Sequence, residues 1–195
     1  MKKLRKAAAA GITAEILYFL SVAAFLVFHS GWALTLWELM TVIGAIAILI
    51  VMTVIADSSG IKSIYRTFML ISLSGTMFFT SAAHFTSIGV TRPLEAQGVN
   101  IPDFVKIGQF PGYEMTIDYI AWGLFMGCAF LCVSLGISEK VMKYLSGICC
   151  VLCLSGFIGS FFSESLWYIA PLGYGIGFLI MCIVVSKKHG AVSQG

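Results

Sequence analysis

The sequence predicts an all-α integral membrane protein, a bundle of six transmembrane helices with both termini on the cytoplasmic side. Of its 195 residues, 59% are hydrophobic and only 11% are charged, and its mean hydropathy is +0.96; soluble proteins contain about 25% charged residues. The apolar residues form uninterrupted runs of roughly 20 residues, the length of a helix that crosses the bilayer. Barrel strands would instead alternate apolar and polar residues over about ten positions.

Six apolar segments are expected to cross the membrane, all within a single transmembrane domain of residues 1–195. They cover residues 11–30, 37–56, 66–88, 115–136, 144–162 and 167–186. The first segment follows a basic start but is too long for the apolar core of a signal peptide, so we expect it to be a retained span. Residues that favour turns, such as glycine, serine and aspartate, separate the segments.

Lysine and arginine are unevenly divided between the two ends of these spans. Because both residues resist translocation, the richer side is expected to be cytoplasmic. The side that carries the termini holds ten of them: Lys2, Lys3, Arg5, Lys6, Lys62, Arg66, Lys140, Lys143, Lys187 and Lys188. Arg92 and Lys106 fall on the other side. The distribution predicts that both termini are cytoplasmic, and the net charge of +3 gives no indication of a nucleic-acid partner.

Aromatic residues near the ends of the spans suggest belts at the two membrane interfaces. The expected outer belt consists of Trp32, Trp37, Tyr113, Trp122, Trp167 and Tyr168, and the thinner inner belt of Tyr18, Tyr65 and Tyr144.

The long connection between the third and fourth spans, residues 89–113, contains Pro93, Pro102 and Pro111. These prolines argue against one continuous helix. Because the segment also contains many apolar residues, we expect it to form an ordered cap on the outer mouth of the bundle. The alternative is a packed connector without a functional role.

Ionisable residues inside or beside the spans are the candidates for function, because charge in hydrocarbon is costly. Glu15, His84 and Asp118 lie within the predicted spans. Four further candidates fall at an outer depth similar to that of His84 and Asp118: His29, Glu38, Arg92 and Glu114. Glu164 is expected at the same depth. We expect an outward-opening pocket in which Asp118 and His84 bind protons or substrate and Arg92 contacts an anion. The alternative is a set of helix caps and interfacial residues that form no common cluster.

Glu15 lies near the inner end of the first span, apart from this group. We expect Lys6 or Arg5, or a residue of another span, to neutralise it. A role in proton coupling is the alternative.

The sequence predicts no cofactor and no metal ion. His29 and His84 have no spacing that indicates a metal or haem site. Cys150 and Cys153 have the C-x-x-C spacing of redox centres, but they lie within an apolar span where a thiolate is disfavoured. We therefore interpret the six cysteines as small packing residues.

Residues 82–93 (AAHFTSIGVTRP) and 107–123 (IGQFPGYEMTIDYIAWG) resemble small multi-pass bacterial membrane proteins of unassigned function. The resemblance implies a bacterial cytoplasmic membrane and carries no ligand or catalytic residue.

The leading functional hypothesis is binding or transport of a small solute through the outer polar pocket, with proton coupling as one form of it. The alternatives are a non-catalytic accessory or sensor subunit and an integral-membrane enzyme that acts on a lipid or isoprenoid. The expected partners are the lipid bilayer, a small solute, and a second copy or another membrane protein that packs on a small-residue face such as Gly123 and Gly127.

Overall fold

A computed structural model describes residues 2–191, with side chains from residue 3 to residue 187. The six long helices are α1 (Lys2–Phe28), α2 (Gly31–Ser59), α3 (Ser63–Ala96), α4 (Tyr113–Gly136), α5 (Lys140–Ser160) and α6 (Glu164–Lys187). Each is long and apolar enough to cross a membrane, and residues 2–191 contain no strand. The prediction of an all-helical chain with six apolar helices is therefore confirmed, and the helices suggest a membrane protein.

The exposed surface of the helices is apolar. Leu20, Ile50 and Ile148 each leave more than half of their surface uncovered, while the buried side chains include Phe130 and Phe178. A soluble protein rarely exposes a continuous apolar surface of this kind. Bilayer hydrocarbon would cover it, since the backbone polar groups of each helix are satisfied within the helix.

Small residues let the central helix α4 approach its neighbour α5 closely. A Cβ atom on Gly123 would lie 2.5 Å from the Cβ of Phe157, and one on Gly127 would lie 2.8 Å from the side chain of Leu154. The pair of glycines predicted to mediate helix contact therefore packs inside the chain. The helix face that these glycines form is covered by α5 and is not open to a second copy.

The third helix is longer than the predicted span of residues 66–88, because it continues to Ala96. Its hydrogen-bonding pattern widens to a π turn at Ser87–Thr91, where the N–H of Arg92 donates to the carbonyl of Ser87. This wider turn precedes Pro93, which has no N–H to contribute and would otherwise break a regular helix. Similar π turns occur at Ile120–Phe125 of α4 and Leu172–Gly177 of α6.

The irregular part of the connection between α3 and α4 consequently begins after Ala96 and contains one short 3₁₀ turn, Asp103–Val105. Lys106 ties this loop to the end of α3, since its Nζ lies 2.9 Å from carboxylate oxygens of both Asp103 and Glu95. These hydrogen bonds raise the pKa of Lys106 above its ordinary value. The loop is therefore attached to the helix bundle by ion pairs.

Candidate functional site

An ion pair between α3 and α2 lies at the end of the bundle that carries the loop. Arg92 donates from Nη2 to the carboxylate of Glu38, whose side chain is only 1% exposed. Arg92 also donates to the Thr35 hydroxyl at 2.9 Å and to the Gly31 carbonyl at 3.4 Å. The π turn at Ser87–Thr91 precedes Arg92 directly, so it sets the direction from which the guanidinium approaches α2.

Two further acidic residues, both on α4, lie close to this pair. Glu114 is fully buried and interacts electrostatically with Glu38, His84 and Arg92. Asp118, one turn further along the helix, places its Oδ1 3.6 Å from Nε2 of His84. Helices α2, α3 and α4 thus bring three carboxylates, one imidazole and one guanidinium together in the interior.

Several polar atoms of this group make no hydrogen bond to any side chain or backbone group between residues 2 and 191. They are both carboxylate oxygens of Glu114, both ring nitrogens of His84, Oδ1 of Asp118, Oε1 of Glu38 and Nε of Arg92. Buried polar groups in proteins almost always have partners. These atoms are therefore where water, a proton or a ligand would be bound.

A cavity of about 650 Å³ adjoins the ionisable group. Its lining comes from α1, α2, α3, α4, α6 and the loop, which contributes Ile107, Gly108 and Gln109. The carboxylates that reach it are those of Glu38, Asp118 and Glu164. A cavity of this size can hold a small organic molecule, and a few polar groups on an otherwise apolar wall are typical of such sites.

Aromatic side chains make up much of the rest of the cavity wall. The rings of Trp122 and Tyr174 lie 4.6 Å apart, and Trp167 stacks on Tyr119 at 4.2 Å. Trp122 and Trp167 are 4% and 5% exposed, and Trp37 lies against Phe25 at 5.2 Å. Trp37, Trp122 and Trp167 all line the cavity.

The expectation that these three tryptophans belong to an outer aromatic belt is therefore wrong. They face the interior of the bundle, whereas Trp32, Tyr113 and Tyr168 are each more than half exposed. Tyr18, assigned to the inner belt, also lines the cavity. A tryptophan near a helix end has the same position in the sequence whether it faces lipid or a neighbouring helix, and only packing distinguishes the two.

The cavity separates α1 from the first half of α6. Helix α1 packs along α2 and against the half of α6 that begins at Phe178, and Phe19 lies against Gly175, where a Cβ would be 3.4 Å from its ring. Toward the loop, the cavity wall includes Leu26, which is 61% exposed. The cleft is thus closed at Phe19 and bordered by exposed apolar side chains of α1.

The structure brings together five of the seven predicted site residues: Glu38, His84, Arg92, Glu114 and Asp118. Arg92 differs from its expected role, because Glu38 already neutralises it. His29 does not join the group; it is exposed in the link between α1 and α2, where its backbone has a φ of +46°.

Glu15 is 5% exposed and lies on the far side of Tyr18, where it interacts electrostatically with Tyr174 and Cys182. No basic side chain among residues 3–187 lies within 4 Å of it, so the expected pairing with Lys6 or Arg5 is wrong. Lys6 precedes Glu15 by nine residues, about 13 Å along the helix, which is longer than a lysine side chain.

Sequence reasoning missed the aromatic wall and the contribution of Gln109. Glu164, at the start of α6, was expected at the depth of this group but was not among the seven predicted site residues, although it lines the cavity. Its position after the turn residue Ser163 resembles an ordinary helix start, where an acid is favoured by the helix dipole. No local pattern distinguishes that role from a place in a cavity.

No group of three or more histidine, cysteine, aspartate and glutamate side chains in the described residues is arranged to hold a metal ion. All six cysteines are free. Cys149 and Cys153 pack against the glycines of α6, with Cys153 Sγ 2.9 Å from the place a Cβ of Gly173 would take. Small side chains are required at this close contact.

No protein-family model matches the chain, and no curated protein or solved structure is significantly similar to it.

Proposed function

We propose that the protein is a multi-pass membrane protein that binds a small solute in this cavity and carries it through the bundle. The observation that supports this proposal best is the cavity of about 650 Å³ beside five ionisable side chains. Arg92 and Lys106 mark the side poorer in basic residues, so we place the cavity on the outer side of a bacterial cytoplasmic membrane, with both termini inside.

The depth of the cavity suits a transporter. Trp122 follows the start of α4 at Tyr113 by nine residues, which corresponds to about 13 Å along the helix axis. Hydrocarbon is about 30 Å thick, so the cavity extends nearly to its middle. Sites near the middle of the membrane, beside irregular helix turns, are typical of secondary transporters, and the π turns of α4 and α6 border this one.

His84 and Asp118 are the groups that we propose exchange a proton during transport. Histidine changes charge near neutral pH more readily than other side chains. The charged groups that act on His84 are Asp118, Glu38 and Glu114. A proton bound to this group would change the charge that the solute meets, and a charged solute would in turn change the affinity for the proton. This reciprocal effect is the physical basis of coupling.

An enzyme that acts on a lipid or isoprenoid is the second candidate. It is favoured by the gap between α1 and the first half of α6, where exposed apolar side chains such as Leu26 border the cavity. In that case His84 and Asp118 would act as general acid and base. A non-catalytic scaffold is less well supported, because its interior would be expected to be filled by side chains.

The test uses the full chain in lipid nanodiscs with a matched set of solutes: 2-phenylethanol, phenylacetate and phenylethylamine, which are neutral, anionic and cationic. We expect at least one to raise the melting temperature, and its radiolabelled form to enter proteoliposomes faster when a proton gradient is imposed. Asp118→Asn and His84→Ala should each reduce this uptake.

Asp57→Asn is the matched control, because Asp57 is exposed and pairs with Arg66 away from the cavity. Equal uptake by the wild type and by both cavity variants would contradict the proposal. Chemical conversion of an added lipid by the wild type, lost in the Asp118→Asn variant, would favour the enzyme instead.

A further inference from the structure

From the charges and rings that line the cavity, we infer that the ligand is a hydrophobic organic cation. This inference rests on the proposed function and deepens it by naming the class of solute. It depends on three features of the described residues: the sign of the charge in the cavity, the aromatic wall and the apolar border of the cleft.

The side chains in and behind the lining carry more negative than positive charge. The carboxylates are those of Glu38, Glu114, Asp118 and Glu164, and the basic groups near them are Arg92 and His84. Arg92 is engaged by Glu38 and is not part of the lining. Lys106 adjoins the loop residues that line the cavity, but Glu95 and Asp103 bind it. Even with His84 protonated and Glu114 neutral, three carboxylates remain against two basic groups, so an anion is disfavoured.

The aromatic wall provides a second means of attracting a cation. Indole and phenol rings present a negative face, and a cation within about 6 Å of that face is stabilised, most strongly by tryptophan. Trp37, Trp122, Trp167 and Tyr174 all line the same cavity as Asp118 and Glu164. A cation in the cavity would have both carboxylates and ring faces around it.

Buried polar atoms in the lining that have no partner indicate that the cavity holds water or a ligand. His84 is 4% exposed and Trp122 is 4% exposed, and neither the imidazole nitrogens nor the indole Nε1 makes a hydrogen bond to another described residue. Both side chains line the cavity. Beside them, Phe19 and Leu26 of α1 are more than a third exposed, so a hydrophobic cation could also approach from the bilayer.

The test compares tetraphenylphosphonium with tetraphenylborate, which have nearly the same shape and opposite charge. Each is titrated against the full chain in nanodiscs, with tryptophan fluorescence as the readout and protein-free nanodiscs as the blank. We expect saturable quenching by tetraphenylphosphonium and none by tetraphenylborate. Asp118→Asn and Glu164→Gln should each weaken binding of the cation by about tenfold, and Trp122→Leu by about threefold.

Trp32→Leu is the matched control for Trp122→Leu, since Trp32 is 58% exposed and lies outside the lining. Glu164 is only partly buried, so its substitution should leave the fold intact even if Asp118→Asn does not.

Equal binding of both ions, or binding of the cation that neither acidic substitution weakens, would overturn the inference. If phenylacetate or 2-phenylethanol binds in a manner that depends on Asp118 while tetraphenylphosphonium does not, the solute site stands and the cation assignment fails. If none of these solutes binds, both proposals fail.

Discussion

At the residue scale, the ion pair between Arg92 and Glu38 joins α3 to α2 beside the cavity. The Glu38 side chain is almost completely buried, whereas the Arg92 side chain is 24% exposed. Breaking a buried pair is costly because the remaining charge has no compensation. The two partners should therefore respond differently to substitution.

We predict that Arg92→Ala destabilises the protein by about 3 kcal/mol, because it leaves the Glu38 carboxylate buried without a counter-ion. Glu38→Gln should cost less, since Arg92 can turn toward water. The double variant should be more stable than the sum of the two single effects implies. Unfolding in mixed detergent micelles, followed by circular dichroism, gives the comparison. A smaller loss for Arg92→Ala than for Glu38→Gln would contradict this account.

The residues of the site were partly predictable at this scale. Glu38, His84, Glu114 and Asp118 stand out because ionisable residues interrupt apolar segments, and hydrocarbon makes their presence costly. The inward orientation of Trp122 was not predictable, because a tryptophan near a helix end is equally at home at the lipid interface. The isolation of Glu15 follows from helix geometry and could have been derived from its distance to Lys6.

At the scale of the helices, the π turn of α4 is held by a hydrogen bond from α3. The hydroxyl of Thr76, which is 1% exposed, donates to the carbonyl of Ala121 at 3.1 Å. Ala121 lies within the π turn Ile120–Phe125, next to Trp122 of the cavity wall. A bond between helices at this position stabilises an irregular turn that the sequence pattern did not reveal, since π turns depend on hydrogen-bond register and not on apolar spacing.

We predict that Thr76→Val lowers stability by about 1 kcal/mol, because the Ala121 carbonyl loses a hydrogen-bond donor in the interior. Thr53→Val is the control: its hydroxyl donates only to Leu49 O of its own helix. Thermal unfolding of both variants in nanodiscs should therefore show a lower melting temperature for Thr76→Val alone. Equal losses in the two would mean that the contact with α4 contributes nothing.

Close packing of α4 against its neighbours gives a further prediction. In Gly123→Ala, the added methyl group would meet Phe157 at 2.5 Å and Trp167 at 3.0 Å, so the helices must separate, at a cost of roughly 1–3 kcal/mol. Gly44→Ala, where a Cβ meets no atom within 4 Å, should be neutral. The melting temperatures of the two variants test this prediction. An unchanged melting temperature for Gly123→Ala would show that the close spacing of the helices is not needed for stability.

At the scale of the whole molecule, apolar segment length and composition were sufficient to predict six helices. They were not sufficient to predict where α3 ends. This helix runs to Ala96 through Pro93, because a π turn accommodates the proline. They also could not predict the cavity, since the divergence of α1 from the first half of α6 depends on which side chains pack at Gly175 and along the second half of α6.

The arrangement of the basic residues predicts that both termini face the cytoplasm. A green fluorescent protein fusion, which does not become fluorescent when exported unfolded to the periplasm, should fluoresce at either end of the chain. An alkaline phosphatase fusion, which requires the periplasm, should be inactive at both ends. Active phosphatase at either terminus would contradict the proposed orientation and would place the cavity on the inner side.

The central claim is that the cavity between α1 and α6 is the site of ligand binding. The most direct measurement is photolabelling of the full chain in nanodiscs with a diazirine derivative of phenylethylamine, followed by mass spectrometry of the labelled peptides. We predict labels on cavity residues of both helices, such as Tyr18 and Trp167, which decrease when tetraphenylphosphonium is added in excess. Labels confined to lipid-facing residues such as Phe28 and Trp32, and unchanged by the competitor, would contradict the claim.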